Sequence, residues 1–318
     1  MMDIFMRLYY GGILWDIRGK VFRGIAVDMS KHAALDRYYS YSFLVPGMLV
    51  YGIIFVFPTL MSFFFSFTRW DLSTWTYIGF DNYKSFFQEY ALVKSLSNTI
   101  VYAVLSSGCK VILGLFLAVV CCSKLRTKGF LETVIYFPNI LSPLAVGIMF
   151  SSLMHPTKGL INQVLSLLGV VGPDWLGNPR LALYSIILTD IWKGVGVSTV
   201  IYIAGIKAIP TEYYEACVVD GGNSLTKFAK ITVPLVRPAR NTVIILSFIG
   251  GLRSFGLVWS MTQGGPGFSS DVLASVIYKQ YINGFYGLSI AGNVILLILV
   301  SMIAFPLYRF LNRGEYAI

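Results

Sequence analysis

LSNTIVYAVLSSGCKVILGLFLAVVCC, residues Leu96 to Cys122, holds one charged side chain, Lys110. About 20 helical residues cross the ~30 Å hydrocarbon core of a bilayer, so this stretch is long enough to span one. A chain in lipid must satisfy every backbone N–H and C=O internally, and the run is too long and too continuously apolar for a barrel strand. It predicts a transmembrane helix. Five further runs read the same way: Tyr41–Phe67, Thr133–Leu153, Leu181–Ile206, Thr242–Thr262 and Gly287–Tyr308. The composition agrees. Of 318 residues, 56% are hydrophobic and 13% charged, against about 25% charged in soluble domains. Too little polar surface remains to cover a soluble particle, and intrinsic disorder needs far lower hydrophobicity. The expected fold is an all-α polytopic membrane protein with six transmembrane helices.

Orientation follows from Lys and Arg, which gather in cytoplasmic loops. The flanks 1–40, 123–132, 207–241 and 308–318 hold 16 of the 25 basic residues, whereas 68–95, 154–180 and 263–286 hold 6. Both termini are therefore expected in the cytoplasm. The net charge of +10 has the same origin, so a nucleic-acid partner is not inferred from it. Cys109, Cys121, Cys122 and Cys217 form no Cys-x-x-Cys pair, and the histidines are His32 and His155. Neither a disulfide framework nor a metal site is expected.

Residues 1–40 form a separate N-terminal segment. Ile4, Leu8, Ile13, Ile17 and Val21 recur at four- and five-residue steps, with Arg7, Arg18, Lys20 and Arg23 between them. This suits a helix lying in the interface with its cations near anionic headgroups, or a cytoplasmic helix packed on the spans. The segment has no uninterrupted apolar h-region, so no cleavable signal peptide is expected. The outer loop 68–95 carries Trp70, Trp75, Tyr77, Phe80, Tyr83, Phe86 and Phe87. A membrane-interface belt is the simpler reading; a docking surface is the other.

The longest internal cytoplasmic loop, about 208–238, contains EYYEACVVDGGNSLTKFAKITVPLVRP from Glu212 to Pro238. Thr211 is placed to cap a short helix with Glu212 in its first turn, running to about Val219. Gly221–Gly222 should end it, because Gly tolerates the left-handed backbone of a helix terminus. A second helix with Leu225, Phe228 and Ile231 on one side should follow, ending near Pro234.

This loop resembles the cytoplasmic signature of importer-type ABC permeases: Glu-Ala-Ala, three residues, Gly, nine residues, Ile-x-Leu-Pro. Here the matching residues are Glu215, Ala216, Cys217, Gly221, Ile231, Thr232, Val233 and Pro234, with Cys217 for Ala and Val233 for Leu. YIGFDNY at 77–83, SLSNTI at 95–100, IWKGVGVSTVIYIAGIKAIPTEYYEA ending at Ala216, and MTQGGPG at 261–267 look like the carbohydrate-type, maltose-type branch. The resemblance covers 41–318 as one transmembrane permease domain and leaves residues 1–40 unexplained.

The resemblance implies a subunit in a bacterial inner (plasma) membrane, taking up a sugar or oligosaccharide by alternating access. It also implies partners: a second homologous permease forming a heterodimer, two cytoplasmic ABC ATPases that carry ATP and Mg, and an extracytoplasmic solute-binding protein. It assigns ATPase coupling to Glu215, which makes a polar contact in an ATPase cleft. Ala216 and Cys217 allow close approach, and Asp220, Gly221 and Pro234 complete the signature. The chain lacks GxxxxGK[ST], the phosphate-cradling loop, so it binds no cofactor itself and is not an enzyme.

Charged groups within spans cost at least about 2.5–3.5 kcal/mol at a helix centre and are functional candidates. Asp190 and Lys193 lie three residues apart on one helix face, where they can pair. If they do, Lys110 and Arg253 lack an in-chain carboxylate, and an acidic sugar such as a uronate oligosaccharide becomes a second reading behind a neutral one. Asn139 and Ser142 beside prolines, Phe255, Trp259 and Asn293 are the other candidates for a sugar path, since hydroxyls need fixed polar groups and sugar C–H faces need rings. An importer of a polyol or sugar phosphate, and a non-transporting scaffold for an ATPase, are the alternatives. A membrane-embedded enzyme would need several intramembrane carboxylates, and only Asp190 is placed for it.

Overall fold

The computed structural model describes residues 41–123 and 125–313. The N-terminal segment and its interfacial helix, and both chain termini, lie outside the described residues. The chain divides after Met61 into two units.

The apolar helix α1 (Val45–Phe65) widens into a π turn at Gly52–Val56, where the Phe57 N–H reaches back to Gly52 O. Pro58 has no N–H to give, and its ring crowds the carbonyl four residues earlier, so a wider turn relieves the clash. A two-stranded hairpin follows, β1 (Thr68–Trp70) and β2 (Trp75–Tyr77), antiparallel with Arg69 opposite Thr76. Asp71 closes its turn. Its carboxylate accepts the Ser73 and Thr74 N–H groups and both hydroxyls. Those bonds favour the charged form and hold the carboxyl down to about 2.

Next come α2 (Asp81–Gln88) and α3 (Tyr90–Cys121). The aromatic loop is thus partly core: Phe86 is fully buried, whereas Trp75, Tyr77, Phe80 and Phe87 stay exposed. The run expected as one third span is two helices, α4 (Lys128–Ile140) and α5 (Pro143–Leu153), meeting at 98°. Leu141 is extended and Pro143 cannot donate, so the helix cannot run through. A short α6 (Leu160–Leu167) leads to α7 (Ala182–Lys207).

The connecting loop holds α8 (Thr211–Val219), then α9 (Ser224–Lys227). Pro210 rather than Thr211 is the cap residue of α8, and Thr211 begins the helix. After α9, a π turn at Phe228–Thr232 leads into Val233–Leu235, again just before or around a proline, Pro234. The fifth expected span is also divided. α10 (Arg237–Leu252) stops after Gly250–Gly251, and α11 (Gly256–Met261) restarts beyond Phe255. α12 (Leu273–Ile282) and α13 (Tyr286–Leu311) complete the described chain. Four helices, α1, α3, α7 and α13, are each long and apolar enough to cross a membrane, and the bent α4–α5 pair makes a fifth if counted as one.

Three apolar clusters hold the second unit. One gathers Tyr102, Val146, Ile186 and Val258 from α3, α5, α7 and α11. Another joins Ala118, Tyr202, Val236 and Val243 beside the 208–238 loop. The third joins Phe86, Leu92, Leu273 and Ile277 at the opposite ends of the helices. Lipid tails are as apolar as Leu, so helices in a bilayer associate by close packing and hydrogen bonds. Gly114 of α3 provides such an approach: a Cβ there would come 2.7 Å from Ser198 Cβ on α7.

Two of the quoted motifs meet in the fold. The Asn98 amide donates to the carbonyls of Ser269 (3.0 Å) and Asp271 (2.8 Å), and the Thr99 hydroxyl accepts the Leu273 N–H at 2.8 Å. The loop after MTQGGPG is therefore clamped by the residues of SLSNTI. Asp271 is fully buried beneath it, paired with Lys279 at 2.6 Å and accepting the Ser275 hydroxyl at 2.8 Å. Asn98→Ala leaves these carbonyls unpartnered at about 1–3 kcal/mol per buried group. The expected outcome is a lower unfolding temperature of the purified protein and faster amide exchange confined to residues 263–273. Unchanged exchange there would contradict the clamp.

Candidate functional site

The intramembrane charges do not pair as their spacing suggests. Asp190 does not meet Lys193. Its Oδ2 lies 2.7 Å from Lys110 Nζ on α3 and also accepts the Ser106 hydroxyl. Lys193 turns the other way and donates to the backbone carbonyl of Asn139 at 3.2 Å. The reason is positional. Asn139 lies in the last turn of α4, where carbonyls have no intrahelical partner and the helix dipole is negative. A cation satisfies both needs, while Lys110 reaches Asp190 over Gly194, where a Cβ would come 2.7 Å from its Cε. Asp190 thus serves the bond between helices α3 and α7.

The other path candidates lie at backbone breaks. Ser142, exposed, is the cap residue just before α5. Arg253, exposed, follows α10, and among the described residues it has no ion pair. Phe255 precedes α11, and its ring is stacked on Trp259 at 5.8 Å. Phe255 and Asn293 of α13 line one cavity of about 260 Å³, together with Tyr278, Tyr281 and Ser289. The structure therefore brings Phe255, Trp259 and Asn293 together and adds Tyr278, 4.8 Å from Trp259. Tyr278 and Tyr281 lie within 263–286, a stretch that the sequence reads as a connection between spans. The signal that could have found them is their three-residue spacing, which puts both rings on one helix face.

The 208–238 loop has its own geometry. Glu215 and Ala216 are exposed on α8, as are Tyr213, Val218 and Val219. Asp220 is the exposed C-cap, and Gly221 follows with φ +77°. The Gly222 N–H bonds back to Cys217 O at 2.7 Å, so Cys217 and Gly222 close the turn against each other. A Cβ on Gly222 would press on the Cys217 sulfur and lie 2.8 Å from its carbonyl oxygen. The Asn223 side chain caps the next helix through the Thr226 N–H at 2.9 Å. Tyr214 bonds the Thr232 hydroxyl at 3.1 Å, joining α8 to the segment that carries the exposed Pro234. The hairpin therefore presents apolar side chains and three carboxylates, Glu212, Glu215 and Asp220, outward.

Lys110→Met should destabilise the protein, by up to about 3 kcal/mol, because it strands a partly buried carboxylate; Lys110→Met combined with Asp190→Leu should recover most of that. Thermal unfolding of the two variants checks this. A double variant no better than the single one would show that the pair does not act as a unit.

The profile of the family described as "binding-protein-dependent transport system inner membrane component" matches residues 110–315. The probable ABC transporter permease protein YurN of Bacillus subtilis (strain 168) is 32% identical over 282 residues, covering 86% of this chain and 96% of the relative. The trehalose/maltose transport system permease protein MalF of Thermococcus litoralis is 28% identical over 263 residues, covering 82% and 89%. Among solved structures, a chain of a bacterial ABC transporter involved in the import of the acidic polysaccharide alginate shares the fold, with a TM-score of 0.74 at 22% identity over 90% of this chain and 99% of that one. The chain belongs to the family of inner-membrane permease components of binding-protein-dependent ABC transport systems, and it is a transport subunit rather than an enzyme.

Proposed function

We propose that the chain is one of two homologous permeases of an ATP-driven importer that takes up a sugar or oligosaccharide. The observation that carries this is the exposed α8 hairpin with its Glu215–Gly221–Pro234 spacing intact. A relative with a trehalose/maltose name supports the sugar class. The chain crosses a bacterial plasma membrane six times with both termini in the cytoplasm, α4–α5 and α10–α11 each counting as one broken span. The asymmetry of Lys and Arg supports that orientation. Residues 41–318 are the permease domain, residues 1–40 an added cytoplasmic or interfacial segment. ATP and Mg are bound by two partner ATPases, and a solute-binding protein delivers the cargo from outside.

In this reading α8 docks in the ATPase, with Glu215 making the polar contact and Ala216 and Cys217 allowing close approach. Asp220 and Gly221 shape the turn, and Pro234 fixes the exit. Uptake by the full assembly in vesicles tests the function as a whole. Glu215→Ala should leave insertion intact and reduce solute-stimulated ATP turnover at least tenfold; full stimulated turnover by the purified variant assembly would remove the coupling role.

One observation favours a second reading of the cargo. With Asp190 committed to Lys110, Lys193 and Arg253 have no carboxylate partner among the described residues. Leaving cations uncompensated in the membrane is costly, and a guanidinium can grip a carboxylate through two parallel bonds. A uronate oligosaccharide would supply that charge, unless the second permease does. Arg253→Gln should then depress uptake of a uronate oligosaccharide about tenfold or more while sparing a neutral one of equal length. Equal loss of both, or no uronate uptake by the wild type, would leave the neutral sugar.

A further inference from the structure

A second cavity lies outside the one that Phe255 and Asn293 line. It measures about 550 Å³, sits between the hairpin and the start of α13, and is lined by Arg69, Trp70, Asp81, Asn82 and Tyr286 among others. Its carboxylates are already committed. Asp71 spends its oxygens on the hairpin turn, and Asp81 pairs with Lys84 at 3.2 Å. Arg69 is exposed and has no ion pair among the described residues. The cavity therefore offers aromatic faces beside a free guanidinium donor.

A line of rings joins the two cavities. Trp70 lies 6.2 Å from Tyr286, Tyr286 5.4 Å from Tyr281, and Tyr281 6.3 Å from Tyr278, centroid to centroid. Tyr278 then stands 5.2 Å from Phe255 and 4.8 Å from Trp259. Trp70 is half-buried, with one face stacked on Phe65 at 4.4 Å, and Tyr286 is half-buried, whereas the two rings between Tyr286 and Phe255 are more open. The inner face of α12 buries Leu273, Val276 and Ile277, yet Tyr281 remains 52% and Tyr278 38% exposed. Both ends of the line open into space lined by hydrogen-bonding groups: Arg69 and Asn82 outside, Ser289 and Asn293 inside.

A ring carries a negative face, and the C–H surface of a pyranose is weakly positive, so sugars lie on rings without needing a fixed hydrogen-bond pattern. Such contacts let a chain move from ring to ring, whereas a set of directional hydrogen bonds would hold it in one place. A monosaccharide touches one or two of these rings at a time; an oligosaccharide bridges several. Resting on the sugar-importer reading, we propose that Trp70, Tyr286, Tyr281 and Tyr278 form a loading track. On it a pyranose oligosaccharide passes from an outer subsite at Arg69 and Trp70 to the inner cavity at Phe255 and Asn293, and the track selects cargo by length.

The test uses the full assembly, with both permeases, ATPases and binding protein, in proteoliposomes. Uptake is measured for labelled malto-, xylo- and galacturono-oligosaccharides of one to five units. The expected result is that wild type carries chains of three or more units, and that Tyr281→Ala lowers their uptake about tenfold while changing shorter sugars less than twofold. Tyr281→Phe, which keeps the ring, should restore most of the loss, and Trp70→Ala should act in the same direction as Tyr281→Ala. Equal losses at all lengths, no loss, or a wild type that carries only monosaccharides would overturn the track. A uniform loss accompanied by loss of the co-purified second permease would make these rings a subunit interface and overturn it as well. Wild type that carries no sugar of any series would remove the sugar-importer reading itself, a failure distinct from the others.

Discussion

A backbone in hydrocarbon has no water to bond, so every N–H and C=O must find a partner inside the protein. That constraint makes this chain helical and decides where it can stop being so. It breaks helices at Leu141–Ser142 and at Arg253–Phe255, and each break has a remedy close by. At the first, Lys193 crosses from α7 to the carbonyl of Asn139. At the second, the N–H groups of Arg253 and Ser254 still reach Ile249 and Gly251. The two half-helices that follow, α5 and α11, then lean on each other where Gly147 leaves room for Ser260. A side chain at Gly147 would separate them.

The same constraint explains what could be read from the sequence. Continuous apolar runs mark α1, α3, α7 and α13 because lipid imposes one composition on all of them. The helix stop in the 208–238 loop was legible because it depends on local chemistry, Gly221 at positive φ, whereas the Asn223 cap and the contact of Gly222 with Cys217 were not read. The ion pairs were not. A three-residue spacing on a helix permits Asp190 to meet Lys193, but it says nothing of Lys110 eighty positions away or of an open carbonyl at Asn139. Asp271 escaped notice for a related reason. It lies in a loop that reads as polar and exposed, and only the clamp from Asn98 and the pair with Lys279 account for its burial. Long-range partners are set by packing, and one sequence does not reveal it.

Small residues carry much of the packing between these helices. Where helices have no hydrophobic reason to associate, contact distance decides the gain from dispersion. Gly114 lets α3 approach α7, and on the same pair of helices the Lys110–Asp190 bond adds an electrostatic tie. Removing one charge from such a tie costs more than the tie contributes, because the remaining charge is left in a low dielectric. Asp190 is thus better understood as a fastener between two spans than as a group waiting for solute.

Helix α10 links the loop to the second break. The helix begins at Arg237, directly after the loop segment that Tyr214 ties to α8, and it ends at Leu252, next to Arg253 and Phe255. The loop proposed to meet the ATPase and the break proposed to meet the solute are therefore the two ends of one helix. Its 16 residues correspond to about 24 Å at 1.5 Å per residue. The Asn241 side chain also bonds Leu311 O at 2.9 Å, which couples the start of α10 to the end of α13, the helix that carries Asn293. A regular helix resists compression, so a displacement of α8 delivered through the Tyr214–Thr232 contact has few places to be absorbed before the Gly250–Gly251 pair. Glycines weaken a helix at that point, and the break that follows carries Phe255, which lines the inner cavity. Movement at the loop would therefore have a direct path to the break along α10, which also bonds α3 through the Ser107–Ser247 hydroxyls at 2.8 Å.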